Sequence, residues 1–183
     1  CAAGLKEPRV SADVILASSN LADEGARIAK GVFLVQPGSY RIGGLNFEGF
    51  SVAHDRLGGR RFGQATVWQW NQAGLNFAHL GGGAAPLQDE DKILLGHPDV
   101  LIIAVGGGMK AYDGSEAAKI VRHLKPKYVI PVQYLQGMTI SDCDLSGIEP
   151  FLKEMKGLEV RRVGKAFAVP RNIPNKSIIY VMQ

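Results

Sequence analysis

The stretch from Asp99 to Tyr134, DVLIIAVGGGMKAYDGSEAAKIVRHLKPKYVIPVQY, constrains the fold more than any other. Two short apolar runs, DVLIIAV and KYVIPVQY, flank a segment in which Ala118, Ile120, Val121 and Leu124 recur at helical spacing. Ser115 stands where an N-cap is expected. Strand, helix and strand in that order form a crossover, and a crossover of this length pairs its two strands parallel.

The remaining apolar runs are short and separated by turn signals. Strands are expected near 13–17, 32–36, 39–42, 45–53, 64–70, 74–79, 99–104, 127–132, 158–163 and 177–182, and helices near 22–30, 88–95, 114–124 and 146–156. The runs GLNFEGFSVAHD and GQATVWQWNQAGLNFAHLG read as antiparallel strands joined by short glycine-containing turns. An antiparallel meander followed by a βαβ unit implies a two-sheet sandwich flanked by helices. With 183 residues, and no repeat, low-complexity tract or linker, residues 1–183 are expected to form one domain.

Composition excludes several classes. The chain is 46% hydrophobic and 21% charged, as a soluble globular domain is, and no apolar run reaches the roughly 18 residues that cross a bilayer. The net charge of +4 and the pI of about 9.1 come from scattered residues. Arg60-Arg61, Lys125/Lys127 and Arg161-Arg162 are too thin a footprint for nucleic acid. The two cysteines, Cys1 and Cys143, lack the paired spacing of zinc ribbons or redox motifs. With Cys rather than Met as its first residue, the chain is expected to be a cleaved or truncated product of a longer protein, with an acylated lipoprotein cysteine as the alternative; its localisation is left open between a soluble and an exported protein.

ADVILASSNLADEG, residues 12–25, begins as a buried strand and ends in a polar turn. Asp23 and Glu24 read most simply as carboxylates at a helix N-terminus, with Ser19 or Asn20 as the cap. His54-Asp55 ends a strand, where a neutral imidazole with a nearby carboxylate could act as a general base. His79 closes the following strand pair. No serine or cysteine is tied to either histidine by motif, and Ser18 and Ser19 lack the Gly-x-Ser-x-Gly elbow. The runs HLGGGAA, AVGGGMK and LGGRR match no phosphate-loop consensus and read as tight turns. Trp68 and Trp70 share one face of a strand, which is the spacing of core packing.

In order, ADVILASSNLADEG, PGSYRIGGLNFEGFSVAHD, GGRRFG, LNFAHLGG, DVLIIAVGG and KYVIPVQY resemble the metallo-β-lactamase superfamily. They are most similar to its small branch of zinc-dependent hydrolases that includes ascorbate-phosphate lactonases. The resemblance runs from about Arg9 to Phe151 and implies an αββα sandwich. It also implies that this chain lacks the family's N-terminal β-hairpin, leaving an edge for a second copy or a protein partner to cover. In the family, a His-x-His-x-Asp-His loop, a strand-end His, a bridging Asp in HLGD and a His in IPxHY hold two zinc ions. Here Ser19 and Leu21 stand at the first two His positions, Asp23 is kept, and Glu24 replaces the third. His54 matches the strand-end His, Gly82 replaces the bridging Asp, and Gln133 replaces the last His.

Zinc at a catalytic site takes at least three protein ligands, mainly imidazole, thiolate or carboxylate. The resemblance leaves Asp23 and His54 as its only metal ligands, so no cofactor is expected, with one oxygen-ligated divalent metal as the alternative. Ser19, Glu24, Arg60, Arg61, His79, Gly82 and Gln133 are then expected to line a cleft, with Lys110 nearby, that receives a small anion. His54 and Asp55 are its candidate catalytic residues. Two readings of function follow. One is a binding or assembly subunit that keeps the fold without dizinc chemistry. The other is a hydrolase of a small anionic ester or lactone using a single metal.

Overall fold

The computed structural model describes residues 10–21, 24–25, 30–137 and 143–183. Thirteen elements follow in the order β1 (Val14–Leu16), β2 (Val32–Leu34), β3 (Gly38–Ile42), β4 (Leu45–Ala53), β5 (Gln64–Gln72), β6 (Leu75–His79), α1 (Asp89–Leu95), β7 (Val100–Ala104), α2 (Gly114–Leu124), β8 (Tyr128–Val132), α3 (Glu149–Glu154), β9 (Glu159–Val163) and β10 (Ile178–Met182). The expected helix at 22–30 lies largely outside the described residues.

Strands β3 to β10 form one mixed sheet in the order β3-β4-β5-β6-β7-β8-β10-β9, and β1 and β2 form a separate parallel pair. The meander β3 to β6 is antiparallel, and β7-α2-β8 is the expected parallel crossover, with Val100 opposite Tyr128 and Ala104 opposite Val132. The second sheet of the sandwich is thus two strands wide among the described residues.

The sheet is covered unequally. Helices α2 and α3 pack Ala117, Val121, Leu124 and Phe151 against Val67, Ala78, Leu101, Ile103 and Ile179 on one face. On the other, β1 and β2 cover β3 to β5 through Leu34, Phe47 and Trp68. Phe167 stacks on Tyr180 with ring centroids 4.7 Å apart, closing the apolar face of β6, β7, β8 and β10. Trp68 is buried and donates its indole N–H to the Ala17 carbonyl at 2.8 Å, tying the small sheet to the large one. A Cβ on its cross-strand neighbour Gly49 would fall 2.7 Å from the Trp68 ring. Trp70 is only partly buried and stacks on Phe77 at 5.0 Å.

Helix α2 starts two residues earlier than the Ser115 cap implies. Asp113 is the N-cap: its carboxylate accepts from the Glu116 N–H at 2.8 Å, and the Glu116 carboxylate accepts from the Asp113 N–H at 2.8 Å. Asp-x-x-Glu satisfies two helix-end donors reciprocally, which a lone serine cannot do. Helix α3 is shorter than expected, with Pro150 in its first turn. Among the described residues no helix is long and apolar enough to cross a membrane.

Candidate functional site

Because β4, β6, β7 and β8 run in the same direction, their C-terminal ends share one edge of the sheet, and the loops that leave them converge there. The end of β1 joins them: the Ser18 carbonyl accepts from the Thr66 N–H at 2.7 Å. The Ala84 N–H donates to the Ala53 carbonyl at 3.3 Å, which sets the turn after β6 beside the residue that follows β4.

At this junction lies a buried pair. His54 is fully buried, and its Nε2 lies 2.9 Å from Glu24 Oε2, whose side chain is 7% exposed. On the other side of the ring, Nδ1 donates to the Gly82 carbonyl, an atom that can only accept. Ser19 donates its hydroxyl to Glu24 Oε2 at 2.9 Å, with Ser18 at 3.4 Å, and Ser19 Oγ accepts from the Leu21 N–H. Nε2 meets the carboxylate as an ion-pair contact rather than as an aligned hydrogen bond, and Glu24 Oε1 is buried with no hydrogen-bond partner among the described residues.

The electrostatics favour the charged forms of both groups. Burial alone would lower the His54 pKa, but the Glu24 carboxylate and the Gly82 carbonyl outweigh it and raise the pKa. Burial would raise the Glu24 pKa, yet His54, Ser19 and Lys110 together lower it. A carbonyl at Nδ1 and a carboxylate at Nε2 are the surroundings of an imidazolium.

Gly82 leaves room for this pair. A Cβ there would press on His54 Cε1, 2.7 Å from Nδ1 and 2.6 Å from Glu24 Oε2. Both side chains are buried, so neither can swing out to solvent without leaving its partner.

Asp55 does not reach His54. Its Oδ1 accepts from the Leu57 and Gly59 N–H groups at 2.8 and 2.9 Å, and Oδ2 from Arg61 and Phe62 at 2.9 and 2.7 Å. Burial would raise its pKa, but these four amides hold it down to about 2. The carboxylate organises loop 55–63 and has no oxygen left for an imidazole. His79 is partly buried at the end of β6, and its Nδ1 accepts from the Gly81 N–H at 2.9 Å. Burial pushes its pKa down to about 4, so the ring is neutral at physiological pH. Gln133 follows β8 half-buried, with a left-handed backbone at φ 53°. Asp23 lies outside the described residues.

The rim is cationic. Arg61 and Lys110 lie over the Phe62 ring at 5.1 and 5.6 Å from its centroid, and Phe62 meets the His54 ring edge-on at 6.2 Å. Arg60 is exposed and donates to the Leu57 carbonyl at 3.2 Å. Arg56 clamps two loops together: it binds Glu116 at 2.6 Å and donates to the Gly108 and Ala111 carbonyls. Neither Arg56 nor Phe62 stands out in the sequence, because their roles depend on loops that meet only in three dimensions.

Residues 2–133 match the family model of the beta-lactamase superfamily domain, and the chain belongs to that family. A candidate Zn-dependent hydrolase of the metallo-β-lactamase superfamily from Thermotoga maritima is similar at 26% identity. That alignment covers 96% of this chain and 84% of that one, with a TM-score of 0.78. A candidate metal-dependent hydrolase from Parabacteroides distasonis shares the fold at 17% identity and a TM-score of 0.60, over 80% of this chain and 73% of that one. A metallo hydrolase from Ignicoccus hospitalis aligns over 67% of this chain and 64% of its own length, at 17% identity and a TM-score of 0.51. No curated protein matches the chain significantly.

The metal that this family typically holds does not fit the described side chains. Among the described residues, no three His, Cys, Asp or Glu side chains gather into a metal-binding group. Leu21 and Gly82 carry no side-chain donor atom, and Gly82 has no room for one beside the pair. His54 has one nitrogen on a carbonyl and the other against a carboxylate. Catalytic zinc takes three protein donors, so this set falls short.

Proposed function

We propose that this chain is a binding subunit on a metallo-β-lactamase fold, one that receives a small anion above the Glu24–His54 pair and does not perform dizinc hydrolysis. One observation supports the reading: the His54 ring, with Nε2 against the Glu24 carboxylate and Nδ1 on the Gly82 carbonyl, leaves neither ring nitrogen open to a metal. His54, fully buried, contributes charge rather than contact. Contact with the anion falls to Lys110 and Arg61, whose positions over the Phe62 ring give the rim its positive potential. A second reading, one divalent cation held by oxygen ligands, draws on Glu24 Oε1, which has no hydrogen-bond partner among the described residues.

Elemental analysis of protein purified without added metal separates the two, and phosphate calorimetry tests the first. Less than one metal per chain is expected, together with phosphate binding that weakens at least tenfold in an Arg61→Glu/Lys110→Glu variant. A stoichiometric metal would replace the first reading with the second. Negligible heats from the unaltered protein would remove the anion site.

A further inference from the structure

The two most exposed large apolar side chains among the described residues are neighbours. Ile93 and Leu94 on α1 are 79% and 59% exposed, and with Glu90 they stand at the i, i+3 and i+4 positions of one helix face. Glu90 is itself exposed and makes no ion pair among the described residues. Scattered apolar residues on a surface are ordinary, but a contiguous apolar patch with a polar margin marks a surface that a partner covers.

Beside this face runs an open groove of about 440 Å³ between α1 and α2. Lys92, which precedes Ile93, lines one wall, and Lys119 and His123, one turn apart on α2, line the other. Leu87, Ile120 and Leu124 form an apolar floor. Lys92 is held by Asp89 at 2.9 Å, whereas the exposed Lys119 makes no ion pair among the described residues. A groove of this kind would accept many occupants, and the neighbouring face narrows them. An apolar knob with an uncompensated carboxylate lies next to an apolar hollow with an uncompensated ammonium. The chain carries both halves of one contact and leaves both open, since Ile93, Leu94, Glu90 and Lys119 all remain exposed. Two-fold symmetry satisfies such a surface, because residue i meeting residue j of a partner copy is repeated as j meeting i.

We propose that α1 and α2 form a two-fold interface with a second copy of this chain. Ile93 and Leu94 of each copy enter the groove of the other, and Glu90 of each meets Lys119 of the other. An unrelated apolar partner would call for no carboxylate beside the knob, and an anionic one would be repelled by it. The interface uses no residue of the Glu24–His54 site and stands whether or not that site binds an anion.

Sedimentation velocity of the unaltered chain from about 1 to 300 μM, the range in which modest contacts dissociate, tests the proposal. A reversible monomer–dimer equilibrium that closes at the dimer is expected. Each substitution acts twice in a two-fold contact. Ile93→Glu, at an exposed position that should leave the far-ultraviolet circular dichroism unchanged, is expected to raise the dissociation constant at least about 100-fold. Glu90→Lys and Lys119→Glu should each raise it at least about fivefold. The double variant, with the two charges exchanged, should return to within about threefold of the unaltered chain. A chain that stays monomeric throughout this range would overturn the proposal, as would a dimer that survives Ile93→Glu. Charge reversals that the double variant does not rescue, or growth beyond the dimer, would overturn it equally.

Discussion

Gly82→Ala is the substitution that asks most of the Glu24–His54 pair. Carbon atoms rest about 3.5–4.0 Å apart at their optimum. The new methyl would lie 2.7 Å from His54 Nδ1 and 2.6 Å from Glu24 Oε2, and closer still to Cε1. Overpacking of this kind costs about 1–3 kcal/mol when neighbours can adjust. Here the ring is fully buried and the Glu24 side chain is 7% exposed, so relief requires the ring to leave the Gly82 carbonyl and the carboxylate. Separating a buried pair costs about 3–5 kcal/mol, and that is the expected loss. For a domain of this size it corresponds to a melting temperature lower by roughly 6–20 °C. Urea unfolding followed by the fluorescence of buried Trp68 measures it. His54→Ala should be costly for the same reason, and adding Gly82→Ala to it should cost less than about 1 kcal/mol more, because the clash partner is gone. A Gly82→Ala protein within about 0.5 kcal/mol of the unaltered one would refute the packing argument.

Stability should also follow pH through the same pair. The His54 pKa is raised, so its contribution is complete below the unfolded value of 6.5 and is lost as pH rises through the folded value. The Glu24 pKa is lowered, so its contribution is present above the unfolded value of 4.5 and is lost as pH falls through the folded value. The pair is thus most stabilising between about pH 4.5 and 6.5, and urea midpoints across pH should lose both limbs in Glu24→Gln. Asp55 should act on loop order alone: Asp55→Ala is expected to speed hydrogen exchange at the Leu57, Gly59, Arg61 and Phe62 amides. In the unaltered protein those amides should stay protected until pH falls through about 2. Unchanged exchange at these amides would show that the loop is held by something else.

Periodicity and turn chemistry made most of the fold legible. The β7-α2-β8 crossover and the β3 to β6 meander are local patterns, and they lie within a residue or two of the stretches that the sequence marks. The strand order β8-β10-β9 was not legible, because placing β10 between two earlier strands depends on tertiary packing rather than on local pattern. At the site, residue types alone made Glu24 a helix-terminal carboxylate and Ser19 its cap; the family resemblance is what assigned Glu24, Ser19 and His54 to one cleft, and in the structure these three side chains lie in contact. Asp55 read as a companion of His54 because the two are adjacent in sequence. The turn that follows instead presents four N–H groups to its carboxylate, and nothing in RLGGRRFG announces that geometry. The reason for Gly82 was equally hidden, since it lies in side chains 28 positions and more away along the chain.

The central claim is that a protonated His54, paired with Glu24, stands where a metal would need a bare imidazole nitrogen. Long-range ¹H–¹⁵N correlation of the histidine rings at neutral pH, before and after an equimolar addition of zinc, tests it most directly. The account predicts that His54 shows both ring nitrogens protonated and that its signals do not move when zinc is added. Loss of the Nε2 proton, with a zinc-dependent shift of that nitrogen, would contradict it.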